Sequence, residues 1–414
     1  MCAAMLTCSC NKGDGVSIEE ANAARRVMVL YSAGFNSLSA YLKSDITELK
    51  GGYVPAKGKG RDVLLVVTKP FKGSYSTKTS PLLIQLYKKS GKVVADTVKV
   101  YPEGQVLADA VTFRQVLSDI GTMYPAGGYG MIFSSHATGW MPEDYYTHPD
   151  RYDTSFYDDD DDNLLTFGLR PNTIGQEITD PGNLQGVQAE IDIEDLAAAF
   201  PFKLDYFALD ACLGGCAEVA YALRNVTDVF IGSPAEIMGD GFVYSLLAQR
   251  LLEEKNPLAV CTDYIHYYTD VYSGKKSATI SLVNTSGLGA LATLLQRLNS
   301  TYGGAVAALD KEQVQGFSGG TRQWFYDLED IYLKAGISDE DKAALREALD
   351  GCIAYAGHTA QYYTATDRMM HDIDAFCGMT MFLPQSGGDY LRNYYKGLSW
   401  NIATGLIESW EAAL

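Results

Sequence analysis

Short apolar runs and amphipathic segments alternate along the first half of the chain. The runs have the length of buried strands, while the segments between them repeat apolar residues at helical spacing. Alternation of this kind is typical of α/β folds, in which helices cover both faces of a mostly parallel sheet. The predicted strands lie at 27–31, 63–67, 129–135, 206–209 and 229–232, and the predicted helices at 108–120 and 193–200.

The pattern changes at two further places. Residues 82–87 and 93–99 alternate apolar and polar positions, which predicts a β-hairpin or an edge pair of strands. Helical spacing dominates towards the C-terminus, which predicts a mainly helical accessory region packed on the core. Its helices are expected at 242–253, 257–269, 288–301, 339–355 and 391–410, and its strands at 277–282 and 379–383. We therefore divide the chain into a tail (1–20), an α/β core (21–245) and a C-terminal region (246–414).

The net charge of the chain indicates which kinds of molecule it can bind. Of its 414 residues 47% are hydrophobic, which is ordinary for a globular protein, and its formal net charge is −18. This charge argues against nucleic acids and anionic membrane surfaces, and it favours polypeptides with basic residues. No stretch approaches the length of a transmembrane helix. We expect a monomer.

Residues 1–15, MCAAMLTCSCNKGDG, are small, apolar and rich in cysteine before they become polar. They resemble the end of a bacterial lipoprotein signal, in which Cys8 or Cys10 would carry the lipid. This interpretation predicts a protein that is anchored in the cell envelope or secreted. The apolar stretch is short and lacks a basic flank, so a disordered tail is the alternative.

The stretch LDYFALDACLGGCAEVAYALRN, residues 204–225, holds the first candidate for chemistry. Its apolar run ends at Asp210-Ala211-Cys212, two glycines follow, and a helical segment begins. Cys212 is therefore expected where a strand ends and a helix begins. The partial positive charge of a helix start would lower the pKa of its thiol. The alternative is a small buried residue that caps a core strand.

A thiol nucleophile usually works with an imidazole close in space. Of the five histidines, His136 stands directly after a predicted strand, in YGMIFSSHATGW (129–140). The others lie in polar or helix-like segments. Because the carboxyl ends of neighbouring parallel strands meet at one edge of a sheet, we expect His136 and Cys212 to lie together there.

These motifs resemble the clostripain family of cysteine peptidases, bacterial relatives of caspases, gingipains and legumains. The family pattern has a histidine and an Asp-Ala-Cys at successive strand ends, followed by a strand that leads to a Gly-x-Gly turn, here VFIGSPAEIMGDGFVYSLL (229–247). The resemblance runs with gaps from residue 27 to the C-terminus. It implies a caspase-like fold for the core. The matching positions are Asn36, His136, Gly139-Trp140, Asp210-Ala211-Cys212, Glu218 and Gly239-Asp240-Gly241.

The resemblance implies a cysteine endopeptidase with a Cys-His dyad. Cys212 would attack the scissile carbonyl, and His136 would activate the thiol and protonate the leaving amine. Backbone N–H groups of Ala137 and Cys212 would form the oxyanion hole. The family has glycine after the histidine, where this chain has Ala137. Alanine keeps the N–H donor but narrows the backbone freedom that glycine would give.

The resemblance also implies a substrate specificity. Two acids, Asp210 and Asp240, stand at the positions that the family uses for its P1 pocket. A buried carboxylate pairs strongly and directionally with a guanidinium, so the resemblance implies cleavage after Arg, and less readily after Lys. The alternative for Asp210 is a carboxylate satisfied by N–H groups at a helix start. The alternative for Asp240 is ordinary turn chemistry.

The loop 141–190 is long and polar, and such loops are either functional or disordered. Members of the family often cut themselves in this loop, which frees the site. The resemblance makes Arg151 and Arg170 the candidate self-cleavage positions. Arg151 is preferred, because Pro171 follows Arg170 and hinders cleavage.

Five consecutive aspartates occupy 158–162. A solvated face is one interpretation of this run, and a calcium site is the other, since oxygen ligands are plentiful although the spacing fits no EF-hand. The cysteines show no spacing typical of a metal site. We expect no cofactor to be required, with calcium as the one candidate.

Two other functional classes remain open. The first is a caspase-like binding protein of the cell envelope with weakened catalysis, for which the Ala137 substitution is the argument. Retention of both Cys212 and His136 argues against it. The second is a thiol hydrolase or acyltransferase that acts on small substrates, against which the pocket acids argue.

Overall fold

The computed structural model describes residues 24–142, 174–179, 188–318 and 323–414. The predicted tail, Cys8, Cys10, Arg151, Arg170 and the run at 158–162 lie outside the described residues. The strands are β1 (Val27–Ser32), β2 (Val63–Thr68), β3 (Leu82–Lys89), β4 (Lys92–Val100), β5 (Tyr129–Ser134), β6 (Ile174–Ile178), β7 (Gln188–Ile191), β8 (Leu204–Asp210), β9 (Thr227–Gly232), β10 (Thr279–Asn284), β11 (Tyr326–Asp327), β12 (Ile353–His358), β13 (Gln361–Tyr363), β14 (Met370–Asp372) and β15 (Thr380–Met381).

Helices alternate with these strands. They are α1 (Ser39–Gly51), α2 (Ala110–Met123), α3 (Ile193–Ala199), α4 (Ala217–Ala222), α5 (Tyr244–Ala248), α6 (Pro257–His266), α7 (Leu288–Ala307), α8 (Leu328–Lys334), α9 (Asp339–Asp350), α10 (Asp389–Lys396), α11 (Ser399–Thr404) and α12 (Leu406–Glu411). Turns of π-helix extend α5 and α6 at Gln249–Glu253 and Tyr267–Val271, and 3₁₀ turns occur at Leu223–Asn225, Thr285–Gly287, Lys311–Gln313 and Pro384–Ser386.

A nine-stranded sheet organises the described part of the chain, in the order β12-β10-β9-β8-β5-β1-β2-β3-β4. Its middle strands, from β9 to β2, are parallel. Antiparallel strands close both edges. The prediction of a mostly parallel sheet flanked by helices is confirmed. In such a sheet the carboxyl ends of the parallel strands lie at one edge, which is where the site is expected.

The parallel strands are buried on both faces, because successive side chains of a strand point to opposite sides. In β1, Val29 and Tyr31 join one hydrophobic core, and Met28 and Leu30 join the other. The larger core is covered by α2, which begins where Asp109 accepts a hydrogen bond from the main-chain N–H of Thr112. Helical covering of this kind explains the uninterrupted apolar runs in the sequence.

Two predicted elements are wrong in part. The helix predicted at 339–355 ends at Asp350, and residues 353–358 form β12 at the edge of the sheet. Apolar residues continue past Asp350 into β12, so the spacing of apolar residues does not show where the helix ends. The closing stretch 391–410 is divided into three short helices. The last division falls at Gly405, which has the positive φ of 61° that glycine adopts without strain.

The predicted boundary at residue 245 does not coincide with an end of the sheet, since β10 and β12 extend it. The division into core and C-terminal region stays a prediction. The loop 141–190 contains β6 and β7, which pair with each other, so its described part is not structureless. None of the helices among the described residues is long and apolar enough to span a membrane.

Candidate active site

The register of β5 and β8 brings the two predicted catalytic residues to the same edge of the sheet. Ser134 and Asp210 are paired as the last residues of these parallel strands. The main-chain N–H of Ser135 still donates to the carbonyl of Asp210, at 3.4 Å. His136 and Cys212 each follow two residues after this pair. The predicted juxtaposition at the sheet edge thus follows directly from the strand pairing.

The chain turns sharply after Cys212. Leu213 has a φ of 58°, which is uncommon for a residue with a side chain and marks local strain. Its N–H donates to the carbonyl of Ala235 at 3.1 Å, so the next strand connection holds the turn in place. Helix α4 begins only at Ala217. Cys212 therefore precedes the helix by a full turn of irregular chain, and the expected position at the helix start is wrong.

The surroundings of the Cys212 sulfur favour the neutral thiol. Burial, and to a smaller extent the charge of Glu236, raise the pKa of the thiol to about 12. The main-chain N–H of Ile237 lies 3.4 Å from the sulfur and acts in the opposite direction. The expectation that a helix start lowers this pKa is therefore wrong, because protein packed around the sulfur outweighs the distant helix.

His136 is also held in its neutral form. Burial lowers the pKa of its imidazole to about 4. Its Nε2 lies 2.9 Å from Oγ of Ser37, in the turn that follows β1. With both groups neutral, the imidazole would act as a general base during attack, instead of forming a thiolate–imidazolium pair in advance.

Ala137 fits its position without strain. It is not among the residues of the described chain that have a positive φ, so the glycine of the family pattern is not required for backbone geometry. Ala137 pairs with Ile174 of β6, and the N–H of Gly175 donates to the carbonyl of His136 at 2.9 Å. Strand β6 thus supports the main chain on which the predicted oxyanion donor of Ala137 lies.

A buried ion pair fixes β6 at this edge. Nζ of Lys69, directly after β2, lies 2.9 Å from Oε2 of Glu177, and both side chains are almost fully buried. The other carboxylate oxygen of Glu177 accepts from the N–H of Leu107 at 3.0 Å. Asn36, the asparagine of the family pattern, donates to the carbonyl of Gln176 at 2.7 Å. Asn36 therefore connects the turn after β1 to β6 at the site.

Gly139 and Trp140 connect the histidine turn to its surroundings. Gly139 has a φ of 59°, and a Cβ atom there would lie 2.5 Å from the carbonyl oxygen of Leu213. Only glycine allows this close approach of the two turns that carry the predicted dyad. The Trp140 ring is fully buried and contacts Phe382 and Tyr395 of the C-terminal region.

Asp210 lies buried at the end of β8, with 5% of its surface exposed. Its Oδ2 accepts from the hydroxyl of Tyr244, and its Oδ1 has no hydrogen-bond partner among the described residues. Burial raises the pKa of its carboxyl to about 6, which the hydrogen bond from Tyr244 partly opposes. It does not cap a helix, because α4 begins further along the chain at Ala217.

Asp240 lies in the turn that Asp210 faces. A Cβ atom on the following residue, Gly241, would lie 2.5 Å from Oδ2 of Asp210. Asp240 is half-buried, and burial followed by the charge of Asp240 raises the pKa of the Tyr272 hydroxyl.

Glu218 is the acid on α4. Its carboxylate contacts the C-terminal region and not the turn that carries Asp240. Its Oε1 accepts from the N–H of Phe382 and the hydroxyl of Tyr395, at 2.9 and 2.6 Å. The carboxylate therefore ties α4 to the last part of the chain.

Three residues near the site were missed in the sequence: Ser37, Asp45 and Glu236. Ser37 stands beside Asn36 in a turn at the end of a parallel strand, which is the signal that identified His136. Asp45 occupies a buried position of α1 between Leu42 and Leu49, where the helical spacing calls for an apolar residue. Glu236 carries no such signal, since its proximity to the thiol depends on the tertiary fold.

The substitution Ser37→Ala tests whether Ser37 positions the imidazole. We expect kcat for a peptide substrate to fall about tenfold, the value of one hydrogen bond of about 1.4 kcal/mol, with little change in KM. The pH profile should shift with it, because one partner of the titrating imidazole is removed. Ser37→Thr keeps the hydroxyl and should restore most of the activity. Equal losses in both variants would contradict a role for the hydrogen bond.

Together, the sheet edge, the turns that carry a cysteine and a histidine, and the acidic positions define a cysteine peptidase of caspase-like architecture. A model of the clostripain family (Peptidase_C11) matches residues 185–396, just over half of the chain. The chain belongs to this family and is a clostripain-family cysteine protease. The resemblance that the motifs indicated is confirmed.

Solved structures agree on the fold. A secreted C11 cysteine protease from Bacteroides thetaiotaomicron, in complex with an irreversible peptide inhibitor, is 24% identical with a TM-score of 0.74; the match covers 92% of this chain and 99% of that one. An inactive zymogen C11 protease from Parabacteroides distasonis is 23% identical with a TM-score of 0.71, over 92% and 98%. A B. fragilis cysteine protease is 25% identical with a TM-score of 0.50, over 53% and 96%. No curated protein matches the chain.

Proposed function

We propose that the protein is an endopeptidase that cleaves after Arg, and less readily after Lys, through the dyad of Cys212 and His136. One observation carries the specificity. Asp210 stands two residues before Cys212, is buried, and leaves Oδ1 without a hydrogen-bond partner among the described residues. A buried carboxylate oxygen left unpaired is costly, and a guanidinium is the partner that matches it best.

The chemistry can be written with the residues at hand. His136 takes the proton of the Cys212 thiol as the sulfur attacks the scissile carbonyl carbon. The oxyanion accepts hydrogen bonds from the N–H groups of Ala137 and Cys212. His136 then gives the proton to the departing amine, which leaves an acyl-enzyme. Water hydrolyses the thioester and the thiol is restored.

We further propose that the enzyme cuts its own loop between β5 and β6, at Arg151 first and Arg170 second. Both positions precede β6, which stays bound to the sheet edge through the Lys69–Glu177 ion pair and the hydrogen bond from Asn36. A cut at either arginine would therefore leave the two parts of the chain associated. The neutral thiol and imidazole of the uncut chain are consistent with a form that awaits activation.

Three further expectations remain proposals. The run at 158–162 is the candidate site for calcium, and the part of the chain that the structure describes holds no group of three or more His, Cys, Asp or Glu suited to a metal. Cys8 or Cys10 would carry a lipid anchor in the cell envelope. The enzyme would act as a monomer on polypeptides with basic residues.

A panel of fluorogenic peptides tests the specificity. The peptides differ only in the P1 residue, which is Arg, Lys, Asp or Asn, and each is incubated with and without calcium. We expect release after Arg, slower release after Lys, and none after Asp or Asn. A denaturing gel of the same samples shows whether the chain is cut between residues 143 and 173. No release from any peptide, in cut or uncut protein, would favour the envelope binding protein instead.

A further inference from the structure

An acid interrupts the apolar face of α1. The buried residues of this helix are Leu42, Asp45 and Leu49, at the spacing of one helical face. Asp45 is only 4% exposed. Aspartate is almost never so deeply buried without a partner. Yet no hydrogen bond or ion pair joins Asp45 to any other described residue.

The neighbours of this face show where Asp45 points. Tyr41, one turn before it, packs on Gly239, where a Cβ atom would lie 2.9 Å from the ring. Gly52, two turns after it, packs on Ser245, whose carbonyl oxygen would lie 2.0 Å from a Cβ atom on Gly52. Tyr41 and Gly52 stand four residues before and seven residues after Asp45, so all three lie on one face of the helix. Asp45 therefore faces the segment 239–245.

That segment also receives the carboxylate of Asp210. Asp210 accepts from Tyr244, and its two oxygens lie 2.5 and 3.1 Å from where a Cβ atom on Gly241 would stand. Burial is the main cause that raises the pKa of Asp45 to about 9, and the charges of Asp210, Glu48 and Asp240 contribute to this rise in that order. The field of Asp45 also acts on Tyr244. Two buried carboxyl groups from different elements thus face one turn without a basic partner among the described residues.

We infer that Asp45 is a further carboxylate of the P1 pocket, besides Asp210 and Asp240, and that it holds an arginine guanidinium together with Asp210. The inference rests on the proposed specificity and adds a residue from a second element to it. A guanidinium presents several N–H donors in a fixed plane and can engage two carboxylates at once, whereas an ammonium is a compact point charge. Two acids therefore favour Arg over Lys. Without a ligand, Asp45 has to take up a proton instead of facing Asp210 as a second charge, and this costs stability, as ligand sites do.

The test uses Cys212→Ala as the background, after active enzyme has cut its loop between residues 143 and 173 in trans, so that ligand binding is measured without cleavage and in the processed form. The ligands are acetyl-arginine amide and acetyl-lysine amide, followed by calorimetry in two buffers of different ionisation enthalpy. We expect Asp45→Asn to weaken binding of the arginine ligand about tenfold or more, and binding of the lysine ligand less. Binding to the parent should release a proton at pH 7.5, because Asp45 ionises beside the guanidinium. The variant should release less.

Stability separates a ligand-binding acid from a structural one. Asp45→Asn should raise the Tm of the ligand-free protein by about 2 °C or more, since it removes one of two facing acids. Glu48→Gln is the matched control, an exposed acid of the same helix, and should leave affinity within about twofold. Should Asp45→Asn not fold, Asp45→Ser replaces it as a smaller uncharged residue.

The outcomes are distinct. A lower Tm together with unchanged binding of the arginine ligand would make Asp45 a structural residue and overturn the inference, while cleavage after Arg would stand. Absence of guanidinium binding in the parent, with no cleavage after Arg by the active enzyme, would overturn the proposed specificity and the inference with it. Weakened binding, reduced proton release and an unchanged or higher Tm would establish Asp45 in the pocket.

Discussion

Replacing Cys212 with alanine is expected to lower kcat/KM for peptides with Arg at P1 by about 10³-fold or more. The loss should not grow when His136→Ala is added, because residues that act as one catalytic unit are not additive. Steady-state hydrolysis of the arginyl peptide by the single and double variants measures this. A double variant markedly slower than Cys212→Ala would show that His136 acts independently of the thiol.

Cys216→Ala is the matched control for Cys212→Ala. Cys216 follows four residues later, is fully buried, and its main chain pairs with Thr380 of the C-terminal region. We expect this variant to keep activity within a few fold. Equal losses in both cysteine variants would point to damaged folding rather than to a nucleophile.

The raised pKa of the Cys212 thiol predicts that its reaction with alkylating reagents depends on pH. A thiol whose pKa is about 12 is almost entirely protonated at neutral pH, so iodoacetamide should alkylate Cys212 slowly at pH 7. The rate should rise about tenfold with each unit towards pH 10, as the thiolate fraction rises. Mass spectrometry of the modified peptide follows the reaction. Rapid alkylation at pH 6 would instead indicate a preformed thiolate.

Asp210→Asn is expected to lower kcat/KM for arginyl peptides by about 10²- to 10³-fold, because the variant leaves a buried guanidinium without its charged partner. The kcat/KM for lysyl peptides should also fall in this variant. Tyr244→Phe is the control, since it removes the hydrogen bond to Oδ2 and keeps the carboxylate. We expect a loss of no more than about tenfold there, the value of one hydrogen bond to a charged group. Unchanged selectivity in Asp210→Asn would remove this acid from the pocket.

The pKa of Asp210 sets the direction of two pH effects. The carboxyl titrates at about 6 in the folded protein, above its ordinary value, so the folded state holds the proton more tightly than the unfolded state. Stability should therefore fall as the pH rises from about 4 to about 6, and Asp210→Asn should remove that fall. Binding of an arginyl substrate should improve over the same range, as the carboxylate forms.

The placement of His136 and Cys212 could be predicted because it depends on local signals. Each follows an apolar run, and neighbouring parallel strands bring their carboxyl ends to one edge. The state of the thiol could not be predicted in this way. Its pKa depends first on burial, and then on the charge of Glu236 and the N–H of Ile237, both in the connection after β9. Strand β12 was missed for a related reason, since its pairing with β10 is non-local and leaves no mark in its own spacing.

The surroundings of Asp45 depend on how α1 packs on segment 239–245, whereas the contact of Ser37 with His136 follows from the pairing of β1 with β5. The sequence shows an acid on a buried helical face, but not which residue it meets. Strands β6 and β7 are a similar case, because among the described residues they pair with each other, and β6 also bonds to the turns that follow β1 and β5. Local pattern therefore predicted which edge of the sheet carries His136 and Cys212, while tertiary packing determines which residues surround them.

The C-terminal strands and aromatic contacts set a limit on how the chain can be shortened. A protein truncated after residue 245 would lose β10 and leave the hydrogen-bonding edge of β9 bare, which invites aggregation with other chains. It would also strip Phe382 and Tyr395 from Trp140 and Glu218, beside the turns of His136 and Cys212. Expression, engineering and evolution of this enzyme must therefore treat the catalytic turns and the last strands as one inseparable unit.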